Sequence, residues 1–344
     1  AFSPDYLGRE LENLGASIYR TLRAEFATVV LLPDCEILFL ATAEVAPPPV
    51  AGDWIARYEA RGLEIDFVIP PAIELRLGTD RIGQVRAAFD ANRAAQVNRD
   101  ARPIACYYEF VYWLRSFHPR AAAVAGRLGE TSWPWGAGLA GLAALGMAWA
   151  VRGKGARRIG AWAMGIGSFS LMACEMVLLL AFQSFCGYLY YRLALILAAL
   201  MLGMAAGAAL GTRQLPRTGL WTLVWIHALL AAHAAGFALF LRWLGNAADR
   251  PAAWIEGAFL LWAAAIGGLV GCEFPAASRL DLKDAAHSGR GGAIYAVDLF
   301  GSGLGALLIG LWALPVLGAG TTLAILAALN GIVAMGMEKA RRAD

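Results

Sequence analysis

The sequence predicts a mainly α, polytopic membrane helix bundle of about seven transmembrane helices, preceded by a small α/β segment. Three observations carry this. The 344 residues are 59% hydrophobic and only 16% charged, whereas soluble domains carry about 25% charged residues. Mean hydropathy is +0.56. The charge is also unevenly spread: most Asp, Glu, Arg and Lys lie in residues 1–130, and after Thr131 they shrink to short clusters between long apolar runs.

A spanning helix needs about 20 apolar residues. Seven runs qualify as spans: Trp135 to Val151, two within the stretch Ile159 to Gly211, Leu220 to Leu241, Ala252 to Cys272, Gly292 to Leu314, and Thr321 to Met337. Gln183, Cys186, Gly187 and Tyr188 mark the turn inside the long stretch. Trp133, Trp135, Trp221, Trp243 and Trp254 fall near predicted ends, where interfacial Trp concentrates. Gly203, Gly207 and Gly211 recur at helical spacing, as do Gly301 and Gly305. Such faces let helix backbones approach closely in lipid; a substrate groove is the other reading.

Lys and Arg in short loops set orientation. With seven spans, the clusters at 152–158, 213–217, 273–291 and 339–342 share one side and hold twelve such residues, against Arg192, Arg242 and Arg250 opposite. This predicts a multi-pass protein of a bacterial-type inner membrane with a cytoplasmic C-terminus. Residues 1–130 then lie outside, although Arg115, Arg120 and Arg127 oppose that, and a re-entrant first run would return them to the cytoplasm.

The net charge of +3 fits loop bias, and no basic run with interleaved aromatics suggests nucleic acid. Cys35, Cys106, Cys174, Cys186 and Cys272 have no CxxC or CxxCH spacing, which argues against a disulfide framework; no metal site is expected. The chain opens on Ala1 without Met or a signal-peptide pattern, which reads as a cut, a cleavage or an upstream part.

In the soluble segment, Leu14, Ile18, Leu22 and Phe26 predict a helix over 11–26. Thr28 to Leu32 and Glu36 to Ala41 read as strands split by a Pro-Asp turn. Helix, strand, turn, strand is how many doubly wound α/β domains end. Pro47 to Pro49 break the chain. Helices follow over Trp54 to Arg61, over Asp80 to Asn92 with Thr79 as N-cap, and from Pro103 to His118. The last carries an aromatic face, Tyr107, Tyr108, Tyr112, Trp113 and Phe117, expected against the membrane or the bundle. The domains read as 1–46, an α/β remnant; 47–130, a helical extension; and 131–344, the bundle.

Several stretches resemble one family. "GASIYRTLRAEFATVVLLPDCEILFLATA" (15–43) and "NRDARPIACYYEFVYW" (98–113) are similar to the end of the synthase domain in membrane-fused spermidine synthase-like proteins. The membrane stretches "GSFSLMACEMVLLLAFQSFCGYLYYRLALILAALMLGMAAGAALG" (167–211) and "YAVDLFGSGLGALLIGLWALPVLG" (295–318) agree. The resemblance implies a methyltransferase-like Rossmann domain fused to membrane helices, and aminopropyl transfer from decarboxylated S-adenosylmethionine to putrescine. Residues 1–130 hold no Gly-rich turn after a strand and no Asp-x-x-Asp-Pro stretch. They therefore match only the end of that domain, without its nucleotide pocket or catalytic Asp. No catalytic residue is assigned, and no cofactor is expected within this chain alone. Aminopropyl transfer would need the missing half, in cis or from a separate chain. The alternative is a non-enzymatic membrane subunit or transporter-like module of a larger complex.

Intramembrane carboxylates cost roughly 2.5 to 3.5 kcal/mol on insertion scales and are functional candidates by default. Glu175 reads either as a cation, polyamine or proton-relay site, or as a carboxylate paired with Arg192 or a Tyr. Asp298, near a helix start, reads as structural. Gln183, Tyr188, Tyr190, Tyr191 and Arg192 form either a polar site or an aromatic belt with a snorkelling Arg. His227 and His233, about 240° apart on one helix, read as hydrogen-bonded packing residues. Glu256 and Glu273 lie near predicted span ends and are expected to be solvated. Asp100, Tyr107 and Tyr108 are candidates for an amine substrate, with helix capping as the other role for Asp100.

Overall fold

The computed structural model describes residues 8–33, 36–45, 50–62, 65–66, 68–130, 138, 141, 145–146, 156–187, 190–213, 219–246, 251–283 and 292–343. The chain is mostly helical and divides into two compact units, 1–99 with 103–130, and 100–102 with 131–344.

The first unit begins with α1 (Arg9–Glu25), followed by β1 (Thr28–Pro33) and β2 (Ile37–Thr42). The strands form an antiparallel two-stranded sheet in which Thr28 faces Thr42 and Pro33 faces Ile37. Helices α2 (Ala51–Ala60), α3 (Pro70–Arg76), α4 (Thr79–Ala91), α5 (Ile104–Phe117) and α6 (Pro119–Glu130) follow. The core joins Ala16 and Tyr19 of α1, Leu31 and Ile37 of the sheet, and Val85 and Phe89 of α4. Phe89 has Tyr19 at 6.0 Å and Phe39 at 6.5 Å between ring centroids. Ser17 Oγ donates to the Gln96 carbonyl at 2.6 Å, and Arg20 donates to the carbonyls of Asn92 and Ala95, so the chain after α4 is held against α1.

Two capping expectations are corrected. Gly78, not Thr79, occupies the cap position of α4. At α5 it is Asn98, not Asp100, whose side chain accepts a first-turn amide, that of Ala105, at 3.0 Å. Pro103 directly before α5 has no side-chain acceptor for the first-turn amides, and Asn98 supplies one from upstream.

Among the described residues of the second unit, six helices are long and apolar enough to cross a membrane: α7 (Ala156–Cys186), α8 (Tyr190–Arg213), α9 (Leu220–Gly245), α10 (Ala252–Lys283), α11 (Gly292–Leu308, continued to Leu317) and α12 (Ala319–Ala343). The expected first span, 135–151, falls almost wholly outside the described residues, as do Trp133 and Trp135. Tight turns at Gly187 and Gly318, with φ of +78° and +85°, join α7 to α8 and α11 to α12. Both positions need the left-handed backbone that Gly adopts freely.

Two helices run past their expected ends. α10 continues through Pro275 to Lys283, because a proline costs a helix one bond, to the carbonyl four residues back, without always ending it. α11 passes through a π-helical turn at Ile309–Ala313 before Leu317, a deviation often found at functional sites.

The glycine faces are packing seams. A Cβ on Gly203 or Gly207 of α8 would strike the backbone of Ala264 or Gly268 of α10, and one on Gly301 or Gly305 of α11 would strike Gly165 or Phe169 of α7. α9 packs along α12, with Arg341 stacked over the exposed Trp221 ring at 4.6 Å. Trp221, Trp243 and Trp254 are all partly exposed at helix ends, as interfacial Trp should be.

An internal repeat organises these helices. The same interval, ninety-eight residues, separates Cys174-Glu175 from Cys272-Glu273, Ile196 from Ile294, Gly203 from Gly301, and Gly207 from Gly305. It lays α7-α8 on α10-α11. Each half has three spans, so the second half crosses in the opposite sense. The packing obeys the same exchange: α8 on α10 becomes α11 on α7, while α7–α10 and α9–α12 map onto themselves. Equivalent contacts recur along the α7–α10 seam. Gly160 lies against Leu280, and Phe182, the counterpart of Leu280, meets Phe259, the neighbour of Gly160's counterpart Ala258, edge to face at 5.5 Å.

Candidate functional site: a buried polar cluster in the helix bundle

The core of the bundle is mostly apolar, and among its described buried polar residues one hydrogen-bonded cluster is drawn from five helices. His227 of α9 and Glu273 of α10 are both wholly buried, with His227 Nε2 at 3.1 Å from Glu273 Oε1. On the other side of the ring, Nδ1 lies 2.8 Å from Asn330 Oδ1 of α12. Asn330 Nδ2 donates onward to Ser170 Oγ of α7 at 2.7 Å and to the Leu326 carbonyl at 2.9 Å. The Glu273 carboxylate rests on Gly167 of α7, where any Cβ would collide with it. Next to Gly167, the single hydroxyl proton of Ser168 has two acceptors within reach, the Asp298 carboxylate of α11 and the Met164 carbonyl at 2.8 Å.

Both nitrogens of His227 are thus engaged, and the proton between ring and carboxylate can sit on either partner. If His227 donates from Nδ1 to Asn330, Nε2 accepts from a protonated Glu273; if His227 is charged, Glu273 is the counter-ion. Glu273 Oε2 has no hydrogen-bond partner. A buried carboxylate oxygen with no donor costs about 1–3 kcal/mol or more, which favours a protonated acid or a transient cation at that oxygen. Pro275 leaves the Gly271 carbonyl without its amide partner, adding a second acceptor close to Glu273 in sequence.

Sequence reasoning expected Glu273 to be solvated at a span end. That expectation is wrong: with α10 running to Lys283, Glu273 lies inside the helix. His227 is hydrogen-bonded, as expected, with Glu273 and Asn330 as its partners. His233 packs edge to face on Trp262 at 4.8 Å, with Nε2 unpaired. Asn330, Ser168 and Ser170 were not singled out. Their signal was weak: isolated polar residues in apolar runs.

Glu175 of α7 is 7% exposed and does not join this cluster. It does not pair with Arg192 either. Arg192 Nε meets Glu256 Oε1 at 2.6 Å, and the same guanidinium donates to the Cys186 carbonyl and lies 5.8 Å from the Tyr191 ring. Glu256, expected to be solvated, is part of this pair. The Gln183 carbonyl closes the α7–α8 turn by accepting from the Gly187 amide at 3.0 Å; Tyr188 lies outside the described residues. Arg192 is therefore a clamp between α8 and α10.

In the first unit, Tyr107 is buried and its hydroxyl donates to the Ala125 carbonyl at 2.5 Å. Burial pushes its pKa up to about 12. Tyr108 donates to the Ala94 carbonyl at 3.2 Å. Both hydroxyls are committed to the protein. Trp113 and Phe117 stack at 5.9 Å and are exposed in this unit. Among the described residues, no group of three His, Cys, Asp or Glu could hold a metal ion.

Six spanning helices around a buried ionisable cluster define the class: a multi-pass membrane protein. Compared with models of known protein families, with curated proteins and with solved structures, the chain matches none.

Proposed function

We propose that the bundle is a transporter-like membrane module in which the Glu273–His227 pair takes up and releases a proton or small cation. The observation that carries this is the pair itself, wholly buried and hydrogen-bonded across α9, α10, α12 and α7. Ionisable groups at such depth mark ion pathways more often than they mark packing. The architecture supports it: inverted repeats with polar residues at their interface are the plan of many secondary carriers. Polyamines, whose ammonium groups complement a carboxylate, are the first organic cations to test, as the family resemblance suggests.

The resemblance also carries the synthase reading, in which the first unit is the tail of a Rossmann-type domain completed by another segment or chain. Such a chain would supply the decarboxylated S-adenosylmethionine pocket. The commitment of Tyr107 and Tyr108 to backbone carbonyls counts against a substrate role for them. Twelve Lys and Arg at one end of the spans against three at the other support an inner-membrane protein with a cytoplasmic C-terminus.

The test is reconstitution of the full chain in proteoliposomes, with proton and spermidine flux followed under an imposed potential. Flux that falls about a hundredfold in Glu273→Gln and His227→Gln, as expected for lost proton transfer, supports the reading. Wild-type vesicles no leakier than empty ones would overturn it.

A further inference from the structure

Glu175 is left unexplained by the cluster around Glu273. It is buried at nine-tenths or more, and among the described residues no charged side chain faces it. A carboxylate without a partner in an apolar helix is costly to keep. Packing alone gives no reason for it, since a Leu or Met would fill the space better.

The repeat supplies a reason. Glu175 and Glu273 occupy the same position in the two halves, each following a Cys, and the halves run in opposite senses. The two carboxylates must therefore sit on opposite sides of the midplane. Glu175 is followed by eleven residues to the end of α7 at Cys186, and Glu273 by ten to the end of α10 at Lys283. Helices α7 and α10 cross antiparallel, with Phe182 beside Phe259 towards one end and Gly160 beside Leu280 towards the other. Counted from those contacts at 1.5 Å per residue, the carboxylates lie roughly 10 to 15 Å apart in depth.

We infer that Glu175 is a second proton-holding carboxylate, serving one side of the membrane as Glu273 serves the other. This rests on the transport reading of the Glu273 cluster and extends it into a path. The self-mapping pair α9–α12 crosses between the two sites and carries His227 and Asn330 in contact. That places an imidazole, which can take a proton at one nitrogen and release it at the other, near the two-fold axis. The groups facing Glu273 are His227 of α9 and, beside it, Asp298 of α11; among the described residues no charged group faces Glu175. The ligand is a proton, or the ammonium group of an amine carrying one.

The test uses the full chain in lipid nanodiscs and dicyclohexylcarbodiimide, an apolar reagent that reacts with protonated carboxyls shielded from water. The acid adds across one C=N bond, its proton goes to nitrogen, and acyl migration leaves a stable N-acylurea with nothing released. Mass spectrometry then reads labelling at each site. The expected result is labelling at both Glu175 and Glu273, falling as pH rises, with Glu273→Gln changing the pH at which Glu175 labels. Absence of labelling at Glu175 across the pH range overturns the inference, as does labelling indifferent to pH. In proteoliposomes, Glu175→Gln should lower proton flux about as far as Glu273→Gln, while Glu175→Asp restores part of it and both variants keep the melting temperature of the parent. Wild-type flux with a fully active Glu175→Gln overturns the inference and leaves the transport reading standing. No wild-type flux, with coupled labelling at both sites, does the reverse.

Discussion

The His227 ring is gripped from both sides: Glu273 lies 3.1 Å from Nε2 and Asn330 lies 2.8 Å from Nδ1. Removing one partner of a buried ion or hydrogen-bonded pair costs roughly 3–5 kcal/mol, because the other is left uncompensated. His227→Ala should therefore destabilise the bundle by about that amount. The double substitution His227→Leu with Glu273→Leu should recover much of it, because matched apolar replacements are often neutral. Thermal unfolding in detergent of His227→Ala and the double variant measures this. A double variant as unstable as His227→Ala would mean that the pair is not the unit of stability. Recovered stability without transport would separate folding from function.

The α8–α10 seam makes a sharper steric prediction. Gly207→Leu would push a side chain into the Gly268 backbone, which has no room to yield. Overpacking costs about 1–3 kcal/mol where a core can adjust, and more where it cannot. The variant should lose its folded state or part the two helices, seen as loss of a monodisperse peak in size-exclusion chromatography. Gly257→Leu is the control, since nothing lies within 4 Å of its Cβ position; it should leave the elution unchanged.

Six of the seven expected spans, the glycine seams and the helix-strand-turn-strand start were legible in the sequence, because hydropathy and local spacing encode them directly. The depth of Glu273 was not legible. Pro275 two residues later looks like a helix end, and only tertiary packing shows the helix running on. The polar partners Asn330 and Ser170 come from helices far apart in the chain, so no local pattern joins them to His227. The repeat was in principle visible as a Cys-Glu pair recurring at the interval that separates the glycine pairs. Seeing it requires comparing the chain with itself over a distance longer than any helix. The pairing of Arg192 was misjudged for a related reason: both Glu175 and Glu256 lie in apolar surroundings, and which one faces Arg192 depends on how α8 and α10 register.

At the start of α5, Asn98 and Asp100 make opposite predictions. Asn98 Oδ1 accepts from the Ala105 amide, and the Asn98 amide in turn donates to Thr21 Oγ1 at 2.8 Å. Loss of a capping side chain costs about 1 kcal/mol. Asn98→Ala should lower the stability of the first unit by about that much, while Asp100→Ala should leave it within roughly 0.5 kcal/mol, as for an ordinary surface change. Hydrogen exchange at the amides of α1 and α5 under rising denaturant compares the two. Equal losses would return the cap to Asp100.

Tyr107 ties stability to alkaline pH. Its hydroxyl is buried and donates to the Ala125 carbonyl, and its pKa rises from 10.0 to about 12. The folded state therefore holds the phenolic proton more tightly than the unfolded state does. That contribution is complete below about pH 10 and fades as pH rises through about 12, because an unfolded chain that has already lost its proton gains relative to the folded one. Tyr107→Phe removes a hydrogen bond worth about 0.5–1.5 kcal/mol and leaves the Ala125 carbonyl to find another donor. The wild-type chain should lose stability between pH 10 and 12 more steeply than Tyr107→Phe, which starts lower but has no phenol to titrate there. Parallel slopes in a melting series over that range would place the alkaline transition on another group.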